Sequence, residues 1–188
     1  MADPRFWSLE RAAGFVLVLG TTVQFPGLLM FWIRGGQRGG LPPTPAYYAW
    51  ERGFVLAAII LTALGFALFE AQLQNTGGQI LARVGVTACV FAGILGVAAE
   101  ALNLSRAGPG LYPVIVVYVV LTFLAQAAIG GGLLQAGAVA PWIGWATLIW
   151  NSAWLVVLPL VTPRDIYFPV LHQVAPLVIG IALLWKTP

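Results

Sequence analysis

One uncharged stretch, from Ala107 to Pro163, most constrains how this chain can fold, because it contains no Asp, Glu, Lys or Arg. A helix needs about 20 apolar residues to cross a hydrocarbon core of about 30 Å. The stretch is more than twice as long, and the segment from Gly137 to Pro141 offers a glycine that ends one helix and a proline that opens the next. The sequence therefore predicts two membrane-spanning helices joined by a tight turn.

The same apolar pattern runs through the whole chain and predicts one all-α domain over residues 1–188, a polytopic bundle of six transmembrane helices. The predicted spans are about residues 12–33, 46–72, 79–103, 111–135, 142–161 and 166–185. The first run is too long for the apolar core of a signal peptide, so we expect it to be a retained span. We call the side with the chain ends the terminus face, and the opposite side, with the Gly- and Pro-rich connections, the loop face.

Composition excludes several classes of protein. With 60 % hydrophobic and 8 % charged residues, the chain cannot be an ordinary soluble domain. Its net charge of +3 is scattered, and no basic cluster predicts binding to nucleic acid. His172 is the only histidine and Cys89 the only cysteine. These counts exclude bis-histidine haem ligation and metal sites built by this chain from several histidines or cysteines, and they leave the cofactor unknown.

Charged residues near the terminus face are few. Glu70 and Arg83 flank a tight turn, and we expect them to pair across it. Four Lys or Arg residues fall on the terminus face and five on the loop face, which is too small a difference for the positive-inside rule to decide the orientation. Arg5 and Arg11 flank the first span and favour cytoplasmic termini.

Polar residues gather at the predicted loop face, which predicts a site there. Ala88, Ala92, Gly96 and Glu100 recur every four residues and therefore share one helix face. Small residues at this spacing favour close helix packing in lipid, so we expect Glu100 to point into the bundle. Two interpretations of Glu100 stay open: a proton carrier, cation site or acid–base group, or a structural ion pair with Arg52, Arg106 or Arg164. The candidate ligand-binding residues are Glu100, Asn103, Arg52, His172, Glu51 and Asp165.

His172 lies near the start of the sixth span, four residues before Pro176. A proline inside a helix removes the donor for the carbonyl four residues earlier, so we expect the His172 carbonyl to be a free acceptor beside the imidazole. The imidazole could serve a proton relay, ligate a single porphyrin or chlorin, act as a general base, or be hydrogen-bonded as part of the helix start. Four further polar residues lie near mid-membrane, where they are expected to bond between helices or line a substrate path: Gln24, Gln126, Asn151 and Ser152.

The last third of the chain resembles a known kind of protein. The segments Pro141-Trp-Ile-Gly-Trp145, Tyr167-Phe-Pro-Val-Leu-His172 and Pro176-Leu-Val-Ile-Gly180 look like the C-terminal half of small multi-spanning bacterial membrane proteins, which are grouped as domains of unknown function. The resemblance implies a multi-pass protein of a bacterial inner or plasma membrane. It brings no functional residues, activity or cofactor with it.

Three functions are consistent with these residues. The first is binding or transport of a small or lipophilic molecule through a polar site at the loop face. The second is an accessory or assembly subunit of a larger membrane complex. Such a complex can carry pigment or redox groups, and its other subunits would be the membrane-protein partners of this chain. The third is a membrane enzyme acting on a lipid or isoprenoid, with Glu100 or Asp165 as acid and His172 as base. The lack of paired acidic motifs favours a role without catalysis.

Overall fold

The computed structural model describes residues 8–36, 44–105, 111–162 and 168–186. These residues form α-helices and two short 3-10 helices, and within them there is no β-strand. The α-helices are α1 (Leu9–Gly36), α2 (Pro45–Glu70), α3 (Gln79–Leu104), α4 (Leu111–Ala136), α5 (Pro141–Val161) and α6 (Val174–Trp185). The predicted all-α class with six helices is confirmed, and five of these helices are long and apolar enough to cross a membrane.

Local sequence explains where several helices begin and end. The hydroxyl of Thr44 accepts a hydrogen bond from the Tyr47 backbone N–H at 3.2 Å, and Pro45 occupies the first helical position of α2. Pro141 opens α5 in the same way. Gly137 follows α4 with a positive φ of 60°, a conformation that costs glycine little. The turn expected at residues 137–141 therefore lies between α4 and α5.

The sixth apolar segment, for which the sequence predicted a span over about residues 166–185 interrupted by Pro169 and Pro176, is divided between two helices in the structure. Residues 163–167 lie outside the described ranges, Pro169–Gln173 is a 3-10 helix, and α6 has only 12 residues. A 3-10 helix rises about 2.0 Å per residue and an α-helix about 1.5 Å, so the two together reach about 28 Å. Pro176 lies in the first turn of α6, where a backbone N–H has no partner within the helix, so the proline is tolerated there.

The helices pack in chain order, and α6 returns to α1. The side-chain amine of Lys186 lies 2.8 Å from the Glu10 carboxylate, so the two ends of the described chain meet at one face. On that same terminus face the Arg83 guanidinium lies 3.1 Å from the Glu70 carboxylate, which confirms the pairing expected across the tight turn.

The interior of the bundle divides into two parts, which we name by the nearer face. The terminus half holds a core of aliphatic and aromatic side chains that includes Leu17, Phe66, Phe69, Leu73, Ile129, Leu133, Ile179 and Leu183. The loop half holds a smaller apolar cluster of Val55, Ile59, Ala92, Tyr118, Val119, Phe123 and Leu158. Most of the buried charged and amide side chains of the described residues lie in or next to the loop half, so the candidate site is sought there.

Candidate functional site

Among the residues that the structure describes, the rim of the loop half contains a chain of four charges that begins at the end of α1. The guanidinium of Arg34 donates to both carboxylate oxygens of Glu51 in the second turn of α2, at 2.9 and 3.0 Å. Arg52 approaches the same carboxylate at 3.2 Å. The Glu51 side chain is 1 % exposed, so its charge is stabilised by these two arginines rather than by water.

The chain of charges continues from α2 to α3. Arg52 donates to both carboxylate oxygens of Glu100 at 3.3 Å, and Asn103 approaches one of them at 3.5 Å. The Tyr48 hydroxyl donates to the Asn103 side-chain oxygen at 2.8 Å, and the Arg52 guanidinium lies 5.1 Å from the centre of the Tyr48 ring. The rim thus alternates two cations with two anions, and each charge is balanced by a neighbour.

Glu100 points into the bundle, as its spacing predicted. Ala92, Gly96 and Glu100 are all buried on one face of α3, and Ala88 is half-buried. A Cβ on Gly96 would lie 2.7 Å from the Tyr118 ring, so the glycine lets α4 approach at this level. The carboxylate pairs with Arg52, which is one of the structural partners the sequence offered. Arg106 and Arg164, the other two, lie outside the described residues.

The backbone around His172 is fixed by side chains from several helices. The Gln126 amide donates to the His172 carbonyl at 2.9 Å, so the acceptor that Pro176 was expected to leave free is satisfied by α4. The Trp150 indole donates to the neighbouring Leu171 carbonyl at 3.0 Å. On the other side, the Gln173 side-chain oxygen accepts from Thr21 and Thr62, each at 3.2 Å. Helices α1, α2, α4 and α5 therefore hold the 3-10 helix in place.

The His172 imidazole itself lies in an aromatic cage. It is 2 % exposed, and the Phe123 and Tyr118 rings meet it edge-on with centroids 4.4 and 5.5 Å away. Within the described residues neither ring nitrogen has a hydrogen-bond partner, and neither does the Gln126 side-chain oxygen. A neutral imidazole offers one donor and one acceptor. The site therefore presents both kinds of hydrogen-bonding group together with a second acceptor.

His172 and Gln126 are among the residues that line a small cavity of about 20 Å³. The volume suffices for about one water molecule or a group of similar size, and it is far too small for a porphyrin ring. The cavity is lined by Ile59, Thr62, Cys89, Gly93, Tyr118, Thr122, Gln126, His172 and Gln173. It is a neutral site, because no Asp, Glu, Lys or Arg is among these residues.

Tyr118 connects the charged rim with the cavity. Its ring packs on His172, and it lies within electrostatic range of the Glu100 carboxylate. Sequence reasoning missed this tyrosine, together with Arg34, Tyr48, Thr62, Thr122 and Gln173. Tyr118 could have been recognised as a candidate from the sequence, because its phenol stands inside a run of valines. The hydroxyls of Thr62 and Thr122 give no such signal, since threonine is common in membrane helices.

The remaining predicted site residues do not join this arrangement. Asp165 lies outside the described residues. Ser152 is exposed on the outer surface of α5 rather than in the interior, whereas its neighbour Asn151 is fully buried. Asn151 donates to the Thr147 carbonyl of its own helix at 2.7 Å and does not bridge two helices through that bond. Gln24 is buried in α1, and its side-chain oxygen has no hydrogen-bond partner among the described residues.

Comparison with known proteins adds no functional assignment. The chain matches no family model, no curated protein and no solved structure. The fold and the site define a class nonetheless, an apolar helical membrane bundle with a charged rim and a neutral polar cavity. Any function for this class has to be argued from the site itself.

Proposed function

We propose that the protein binds a small uncharged molecule, or the polar group of a lipophilic one, at the cavity beside His172. The observation that carries this proposal is the buried imidazole whose two nitrogens, like the Gln126 side-chain oxygen, have no hydrogen-bond partner among the described residues. Buried polar atoms in native proteins are nearly always hydrogen-bonded, and an unsatisfied one costs about 1–3 kcal/mol. A ligand that satisfies these atoms recovers part of that free energy, which supports binding at this position.

The difference between the two halves supports binding more than passage through the bundle. The cavity is lined by Ile59 and Tyr118 of the loop-half cluster and by Cys89 of the terminus-half core. The rest of the terminus half is filled by large apolar side chains such as Phe66, Phe69 and Leu133. A substrate moving towards the terminus face would have to displace this core. Transport, the other part of the hypothesis, therefore needs a second conformation.

The charged rim has a separate role in this proposal. Glu51, Arg52, Glu100 and Asn103 already interact with one another or with Arg34. We propose that they join the loop-face ends of α1, α2 and α3 above the cavity, and that the ligand is held by His172 and Gln126. In this proposal the rim positions the helices, and the protein binds its ligand without breaking a covalent bond.

We further propose a bacterial inner or plasma membrane with cytoplasmic termini. The apolar helices support a membrane location. The resemblance of the last third supports the bacterial origin, and Arg5 and Arg11 beside the first span support the orientation. The wide apolar outer surface suits lipid as well as a protein partner, so no particular contact favours an accessory-subunit role.

The proposal can be tested with the whole protein, extracted in mild detergent and examined by non-denaturing mass spectrometry. We expect a small molecule to be retained and then released on unfolding. Changing His172→Phe keeps an aromatic ring but removes both nitrogens, and it should lower the retained fraction about tenfold, the effect of about one hydrogen bond. Thr147→Val is the matched control, because Thr147 is buried on α5, its hydroxyl also lacks a partner among the described residues, and it lines a different cavity.

The results separate a site at His172 from general effects of a buried substitution. Loss in His172→Phe with full retention in Thr147→Val supports the proposal. Equal retention in all three proteins, or no bound molecule in any of them, contradicts it. Circular dichroism of each protein verifies that the variants are folded before they are compared.

A further inference from the structure

The outer surface between α2 and α3 carries an apolar groove of about 310 Å³. This volume is at the small end of the range of about 300–1,000 Å³ found for small-molecule sites. The groove is lined by Ile59, Ile60, Ala63, Leu64, Ala67, Val90, Gly93, Ile94 and Val97. Not one of these side chains can form a hydrogen bond, so the groove suits a hydrocarbon body and no polar group.

The groove and the internal cavity meet at the same two residues. Ile59 and Gly93 line both of them. A Cβ on Gly93 would lie at ordinary contact distances, 3.6 Å from Ala63 and 3.7 Å from Ile59. Gly93 is thus not required for tight helix packing, unlike Gly96 one turn further along α3. We call the position of Ile59 and Gly93, which line both the membrane-facing groove and the polar cavity, the boundary between them.

We infer that the ligand enters sideways through this boundary, and that it is an uncharged amphiphile with a hydroxyl-sized head and an apolar body. The inference rests on the proposed function and adds the route and the chemical class. A head in a 20 Å³ cavity can contain little more than one oxygen atom. A hydroxyl both donates and accepts, as the imidazole and the Gln126 oxygen together require. A charged head would meet no counter-charge among the lining residues and is excluded by its desolvation cost.

The test uses a long-chain primary alcohol that carries a photoactivatable diazirine in its chain, added to the protein in phosphatidylcholine nanodiscs. Mass spectrometry of peptides after illumination locates the label. We expect saturable labelling of the α2–α3 groove, with the unlabelled alcohol competing about tenfold better than its methyl ether, which cannot donate. The preference for the alcohol should be lost in His172→Phe.

Two substitutions on α3 distinguish this route from ordinary lipid contact. Gly93→Leu fills the boundary and should lower labelling of the groove about tenfold or more. Thr87→Leu is the control, because Thr87 is exposed on α3 and lines a second groove of about 370 Å³ that shares no lining residue with the cavity. Labelling of the α2–α3 groove should be unchanged in this control. If Gly93→Leu does not insert, Gly93→Ala fits at ordinary contact distances and should show a smaller decrease in the same direction.

Each result has a separate meaning. If the alcohol preference depends on His172 but Gly93 substitutions change nothing, the lateral route is wrong and the proposed function stands. If the groove is labelled with no preference for the alcohol over the ether, it is an ordinary lipid contact and this inference is overturned. If neither saturable labelling nor dependence on His172 is seen, the inference fails, and the mass-spectrometric retention experiment decides the proposed function independently.

Discussion

The two halves of the bundle are held together by different means. In the terminus half, helices approach until only glycine fits: a Cβ on Gly14 would lie 2.8 Å from the Gly180 carbonyl, and one on Gly130 would lie 2.7 Å from the Leu148 backbone nitrogen. The loop half also has close contacts at Gly27 and Gly96, but there α1, α2 and α3 are joined in addition by long side chains, through the Arg34–Glu51 and Arg52–Glu100 pairs.

This difference has a physical consequence for function. Small residues let helix backbones approach closely, whereas the ion pairs of the rim join helices through long side chains. The cavity is lined by residues of both halves, Ile59 and Tyr118 from the loop-half cluster and Cys89 from the terminus-half core. The bundle therefore combines an apolar end with an end joined by ion pairs, and the candidate site is lined from both. The predictions below test whether the two halves depend on these separate interactions.

The largest effect is expected for Glu100→Gln in the rim. The substitution removes one of the two carboxylates that the described residues place beside the buried Arg52, so we expect a loss of about 3 kcal/mol in the free energy of unfolding, near the lower end for a broken buried pair. Unfolding by sodium dodecyl sulfate in mixed micelles measures it. The double variant Arg52→Met with Glu100→Gln should recover part of the loss. A cost below about 1 kcal/mol would mean that water screens the interaction between Arg52 and Glu100, as it does in an exposed ion pair.

The next effect is expected for Gly78→Ala in the terminus half. A Cβ at Gly78 would overlap the Gly132 carbonyl of α4, and a backbone atom cannot move aside cheaply. We expect a loss of about 2 kcal/mol, within the usual cost of overpacking. Gly53→Ala in the loop half is the control, because no heavy atom lies within 4 Å of its Cβ position, and it should be neutral or slightly stabilising. Similar losses at both glycines would remove the distinction between the halves.

A smaller effect is expected for Gln126→Leu, which tests the anchoring of the 3-10 helix. The substitution removes the donor to the buried His172 carbonyl and should cost about 1–2 kcal/mol. Hydrogen exchange should become faster in Pro169–Gln173 before the rest of α6 is affected. Asn151→Leu is the control, because the Asn151 side chain bonds within its own helix and its loss should leave that segment protected. Equal exchange in both variants would show that Gln126 does not hold the 3-10 helix.

Sequence alone predicted those parts of the structure that depend on local pattern. Uncharged length predicted the long helices, and the four-residue spacing of Ala92, Gly96 and Glu100 predicted that the carboxylate points inward. Pro176 predicted an open acceptor at His172, because the missing N–H is a property of proline itself. Each of these inferences needs only one helix, which is why they could be made without knowing which helices are neighbours.

The rest required knowledge of which helices meet. Nothing local says that Gln126 reaches the His172 carbonyl, or that Thr21 and Thr62 converge on Gln173 from two helices. Ser152 and Asn151 were both predicted near mid-membrane, but Ser152 is exposed and Asn151 is buried, because adjacent residues on a helix point about 100° apart and only packing decides which one is buried. The glycine contacts were hidden for the same reason, since each one involves a residue of another helix.

The smallest effect is expected for Glu70→Gln, the same chemical change as in the rim but at the terminus face. The Arg83 side chain in this pair is 58 % exposed, and its partner Glu70 is 21 % exposed. Water and salt screen such a pair, so its loss should lower the free energy of unfolding by only about 0.2–1 kcal/mol. The decrease should be smaller still in high salt. The sodium dodecyl sulfate titration used for Glu100→Gln measures both variants under one condition. A cost for Glu70→Gln that approached the rim value would indicate that charge pairs contribute alike at both faces, and the stability of the terminus half could then no longer be assigned to glycine packing.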